Sequence, residues 1–147
     1  MKENVNELTF YQELADLMNG HPDQYETLGE VDFTLGVVMA NEDGEDLRLR
    51  LRFEELGCRD VSPLPEGGES SCDCWLEGDT ESWGEMFDDI TANGRATGRC
   101  TINSLTLVGD HIDVKGDDPM GVDRFFRFNQ TIQQFFDGAA QLAPTPA

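Results

Sequence analysis

The sequence predicts an α+β domain, with a mainly antiparallel sheet of about five strands and its helices collected on one side. Three observations predict it. Apolar and polar residues alternate with period two over 30–40 and again over 45–54. Apolar residues recur at helical spacing over 81–92 and 119–138. The elements follow the order helix, three strands, helix, one or two strands, long helix, and the 147 residues suit a single domain spanning 1–147.

Taken in order, residues 6–19 read as a helix with Leu8, Tyr11, Leu14, Ala15 and Met18 on one face and Gly20 as its terminator. The breaker HPDQ completes an N-terminal helix and linker over 1–29. Residues 30–40 form a strand that sends Val31, Phe33, Leu35, Val37 and Met39 to one side. NEDGED is a turn. In 45–54, Leu47, Leu49, Leu51 and Phe53 point inward, and Arg48, Arg50 and Arg52 outward. The segment 57–70, containing VSPLPEGGES, is turn-rich, with 58–61 able to extend a short strand. Residues 71–78 form a third strand, which places Cys72 and Cys74, two apart, on the same side.

Asp79 or Thr80 caps a helix over 81–92 with Trp83, Met86, Phe87 and Ile90 on its apolar face and Gly94 after its end. ANGRATGR is a glycine-broken connection without the Gly-Lys-Ser/Thr ending of a phosphate-binding loop. Residues 101–108 carry Ile102, Leu105 and Leu107 and begin as either strand or helix; Gly109 and Asp110 then turn into a strand at 112–115. The last helix, 119–138, contains RFFRFNQTIQQFFDG and five of the nine phenylalanines. Val122, Phe125, Phe128, Ile132 and Phe135 fall on one stripe, which Phe126 and Phe136 widen. Asp117 or Asp118 caps it ahead of Pro119, and Gly138 ends it. A helix of that length spans about 30 Å, enough to cover a whole sheet or close one side of a cavity. The tail at 139–147 is small, proline-bearing and expected to fray.

Thirty acidic residues against ten basic ones give a formal charge of −20, which repels nucleic-acid phosphates and anionic lipid headgroups. Solubility or a salty cytoplasm accounts for this charge; docking of a basic partner protein is the sharper alternative. No apolar run reaches the 18 residues of a membrane span, and MKENVNE lacks the apolar core of a secretory signal, so a cytoplasmic protein, not embedded in a membrane, is expected. The arginine stripe of 45–54 is expected to pair across strands with acids such as Glu30, Asp32 or Asp73 in preference to forming an anion site. Cys58, Cys72, Cys74 and Cys100 lack metal-site spacing and are expected to be reduced, neither bridged nor metal-bound. His21 and His111 are isolated, and Glu85 and Asp89, at i and i+4, read as a solvated face. Catalysis and cofactors are therefore not expected.

The hairpin VDFTLGVVMANEDGEDLRLRLRFEE, the passage CDCWLEGDTESWGEMFDDITANG, the segment LTLVGDHIDVKG and the terminal helix together resemble the sterol carrier protein type lipid-binding domain in its short, stand-alone bacterial form. The likeness runs from about residue 30 to 138 and includes the acidic-Gly turn into a Trp-bearing helix. GRATGRCTINSLTLVGD is longer than the connection usual in that family. The resemblance implies a layered domain enclosing a hydrophobic tunnel between sheet and helices, able to hold sterols, fatty acids or fatty acyl-CoA. The negative charge disfavours the CoA phosphates unless Arg95, Arg99 or the Arg48 stripe compensates.

Two functions of different class follow. The first is a carrier for a hydrophobic small molecule, in an apolar cavity lined by Trp83, Met86, Phe87 and Ile90 of the middle helix, Phe125, Phe128 and Ile132 of the last, and Phe33, Leu35, Leu49 and Leu51 of the sheet. The second is a non-catalytic accessory subunit docking on a partner enzyme through its acidic surface or apolar helix face; close packing of those residues without a cavity of about 300 Å³ favours it.

Overall fold

The computed structural model describes residues 8–40, 46–65, 67–107 and 112–142. Most of the expected NEDGED turn, His111, and the tail beyond Leu142 lie outside the described residues. Helix α1 (Leu8–Asn19) precedes strands β1 (Val31–Ala40), β2 (Leu47–Glu55), β3 (Gly57–Pro63) and β4 (Cys74–Asp79). Helices α2 (Thr80–Asn93) and α3 (Ile102–Leu107), strand β5 (Ile112–Lys115) and helices α4 (Pro119–Arg127), α5 (Asn129–Asp137) and α6 (Ala139–Leu142) complete the chain. The five strands form one sheet in the order β3-β2-β1-β4-β5, antiparallel except for the central β1/β4 pair. Among the described residues no helix is long and apolar enough to cross a membrane.

The alternation seen in the sequence is what the register uses. Phe33 faces Phe53, Leu35 faces Leu51 and Val37 faces Leu49 across β1 and β2, and all six are buried. The helices cover this face. The other face bears a smaller cluster of Val38, Leu64 and Cys72 against Trp75. Gly36 sits beneath it, where a Cβ would come 2.8 Å from that of Trp75, so only glycine lets β4 approach here.

Three expectations change. Cys72 and Cys74 lie on opposite faces, because residues Gly68–Ser71 form a 3-10 turn and the strand starts only at Cys74, so the period of two does not reach back to Cys72. The segment left open between strand and helix is helical, α3. The single helix expected over 119–138 is broken at Phe128, whose φ of −107° and ψ of 15° leave the helical region. The Asn129 side chain takes up the Phe126 carbonyl at 2.9 Å, a local bond that competes with helix continuation. The break lets α4 run against β4 and β5 while α5 meets α1, α2 and α3.

The predicted caps hold the other helix ends. Asp79 accepts from the Ser82 N–H at 2.7 Å, and Gly94, at φ 82°, closes α2 by donating to the Ile90 carbonyl. Asp118 accepts from the Met120 N–H ahead of α4. Beyond Gly138 the chain makes one more helical turn, α6, with Ala139 buried.

Candidate functional site

The eleven residues expected to line a cavity come together in one continuous apolar cluster between the sheet and helices α2, α4 and α5. Ten are buried, and Phe128 is half-buried against the cluster. Their rings are in contact. Phe128 stacks on Phe33 at 5.3 Å, and Phe33 on Phe53 at 5.2 Å, so a file of three rings leads from the helix joint across β1 to β2. Phe53 meets Phe135 edge-on at 5.2 Å, and Trp83 meets Phe136 edge-on at 5.7 Å. Such offset and edge contacts are favourable beyond the area they bury.

Sequence reasoning placed Tyr11 on the apolar face of the first helix but missed its role and that of Phe10 in this layer. Both rings pack on Phe87, at 6.2 and 5.8 Å, and the Tyr11 hydroxyl donates to Met39 Sδ at 3.4 Å. Burial raises the Tyr11 pKa, keeping that hydroxyl protonated. The indole Nε1 of Trp83 is buried without a hydrogen-bond partner among the described residues.

Polar features outside this layer do structural work. The arginine stripe is paired: Arg52 with Asp32 at 2.5 Å, Arg48 with Glu69, and Arg50 donating to Ser71 Oγ at 3.3 Å. Asp73 takes a different partner from the one expected. It accepts from the Thr34 N–H at 2.7 Å and from Arg124 at 2.8 Å, clamping α4 to the sheet. Asp89 accepts from the Thr97 N–H and from Asn93, and the Thr97 bond first of all lowers its pKa; it fastens the loop after α2. Burial pushes the Cys58 and Cys74 thiols up to about 12. Among the described residues no group of His, Cys, Asp and Glu is arranged to hold a metal ion.

Two clefts open beside α5. One of about 320 Å³ lies between Leu28, Ile102 and Gln133, and another of about 200 Å³ reaches Leu14, Tyr25 and Arg95; both touch Gln134 and Asp137. Asp137 accepts from the Ala96 N–H at 3.0 Å and from Gln133 at 2.9 Å, while burial raises its pKa. Neither cleft is lined by any of the eleven residues.

No protein-family model matches the chain. No curated protein matches it by sequence. Solved structures do. A crystal structure of sterol carrier protein 2 superposes with a TM-score of 0.71 at 15% identity, over 95% of this chain and 100% of that one. A conserved hypothetical protein from Thermus thermophilus, described as possibly sterol carrier protein, gives 0.63 at 18% identity over 98% and 93%. Sterol carrier protein 2 from Yarrowia lipolytica, in its apo form, gives 0.50 at 15% over 88% and 96%. At these identities the likeness concerns the fold, and the five-stranded sheet with helices on one face is the fold of sterol carrier protein 2.

Proposed function

We propose that this protein is a non-catalytic carrier or sequestering module for a hydrophobic small molecule, a sterol, fatty acid or similar lipid-like metabolite, taken up between the sheet and helices α2, α4 and α5. The observation that carries the reading is the convergence of eleven apolar residues from the sheet and helices α2, α4 and α5 on one layer, in a fold shared with proteins named as sterol carriers. Phe128 gives the layer a way in. It sits half-exposed at the joint of α4 and α5 and heads the file of rings to Phe33 and Phe53, so a ligand enters by parting the joint and replacing ring contacts with its own. Large aromatic and thioether side chains suit this, since they re-pack around guests of different shape.

The same dense contact, with neither cleft beside α5 lined by these residues, is the outcome that favours a second reading. Side chains already close-packed without a guest suit a domain that works through its surface, and α4 exposes Met120 and Phe126 beside an acidic exterior. That reading makes the chain an accessory subunit on a partner protein. Native mass spectrometry of protein purified without lipid stripping separates the two. A discrete lipid-sized mass increment, displaceable by a fluorescent fatty acid, is the expected result; a chain free of small molecules that takes up none overturns the carrier.

A further inference from the structure

The carrier reading leaves open what the layer recognises, and the inference that follows rests on that reading. Trp83 heads the fully buried side chains by size. Its ring lies edge-on to Phe136, in a cluster of apolar residues. Buried polar atoms are ordinarily paired, as the Tyr11 hydroxyl is with Met39 Sδ. Two further atoms without a hydrogen bond, Arg48 Nη2 and Glu69 Oε1, face each other as an ion pair. Among the described residues, that leaves Trp83 Nε1 as the unpaired buried polar side-chain atom.

We infer that the Trp83 indole N–H is the polar fixing of the ligand site, and that the ligand is a neutral lipid whose carbonyl oxygen, from a ketone or an ester, is held inward against it. An indole N–H only donates, so the ligand must present an acceptor. Among the described residues no cationic side chain is buried, so a fatty acid would have to give up its charge by taking up a proton to enter, and it binds more weakly than a ketone. An alcohol supplies an acceptor but brings its own O–H, which then needs a partner. A carbonyl oxygen accepts one bond and asks for nothing more. Binding then satisfies a donor that the unfilled protein leaves unpaired, so recognition favours carbonyl lipids over hydrocarbons of equal length.

The test uses the full chain with Trp75→Phe. Trp75 belongs to the cluster on the far side of the sheet, and with only two tryptophans in the chain its removal leaves Trp83 as the single indole N–H signal in a ¹⁵N spectrum. A long-chain methyl ketone, the alkane, the alkanol and the fatty acid of the same chain length are titrated in turn. The expected result is a downfield indole shift with the ketone and affinity about tenfold above that for the alkane. Trp83→Phe should remove that preference, so that ketone and alkane bind alike. Should this variant fail to fold, the indole shift and the ketone-to-alkane ratio in the Trp83 protein still decide. Equal binding of ketone and alkane, an unmoved indole signal in the bound state, or preference for the fatty acid overturns the inference while leaving the carrier intact. Failure of every probe to bind overturns both.

Discussion

At the scale of single residues, two glycines in helices have opposite meanings. Gly121, in the first turn of α4, lies so close to β4 that a Cβ would collide with the Asp73 carbonyl oxygen, a backbone atom that cannot swing aside. Gly84, inside α2, has no atom within 4 Å of where its Cβ would stand. Gly121→Ala should therefore destabilise by about 1–3 kcal/mol, the usual cost of overpacking, whereas Gly84→Ala should stabilise by about 0.5–1 kcal/mol through helix propensity. Urea unfolding of the two variants measures both signs, and a tolerated Gly121→Ala would show that α4 does not lie against Asp73. The same contact explains why the Asp73 bonds to Thr34 and Arg124 hold: the glycine lets the helix come close enough for Arg124 to reach.

At the scale of elements, the joint between α4 and α5 decides how Phe128 and Phe135 differ. Phe135 is fully buried against Phe53 and Phe136, and truncating it to alanine should cost about 3–5 kcal/mol. Phe128 caps one helix and opens the next, and its ring is half-buried, so Phe128→Ala should cost roughly half as much. Calorimetric unfolding of the pair tests this. Under the carrier reading, Phe128→Ala also alters uptake of a fluorescent fatty acid. Equal, large losses at both positions would mean that the joint is ordinary core and does not part. The break itself is invisible to a helical periodicity count, because Phe128 falls on the same stripe as Phe125 and Ile132 whether or not the backbone bends there.

For the whole molecule, buried thiols set an alkaline limit. The Cys58 and Cys74 thiols rise from an ordinary value of 9.0 to about 12, with burial the leading cause. Their folded forms thus hold protons that the unfolded chain releases. The stability they contribute is fully present below about pH 9 and is lost as pH rises through about 12. Melting temperature should fall over that window, and Cys58→Ser with Cys74→Ser, compared with the parent at each pH, should flatten the fall. A profile unchanged by both substitutions would assign the alkaline loss to other groups, such as Tyr25, whose pKa burial also raises.

The α+β class, the inward faces of β1 and β2, the apolar face of α2 and the caps at Asp79, Gly94 and Asp118 were legible in the sequence, because each depends on neighbours a few residues away: a period of two or 3.6, or a side chain bonding a nearby N–H. The eleven-residue layer was legible for the same reason, since apolar faces on a sheet and two helices have only one place to be buried. Tertiary structure alone decided what depends on residues distant in sequence. The helical start of 102–107, the parallel β1/β4 pairing and the Asp73 clamp are each tied to a partner tens of residues away, whereas the bend at Phe128 and the opposite faces of Cys72 and Cys74 follow a local side-chain bond and a 3-10 turn that periodicity does not register. Gln133, for example, receives the Ile102 N–H at 2.6 Å across a separation of 31 residues. Close approach between distant segments also decides whether the apolar layer is filled by its own side chains or opens for a guest, since the same composition serves either, and only the distances between rings distinguish them.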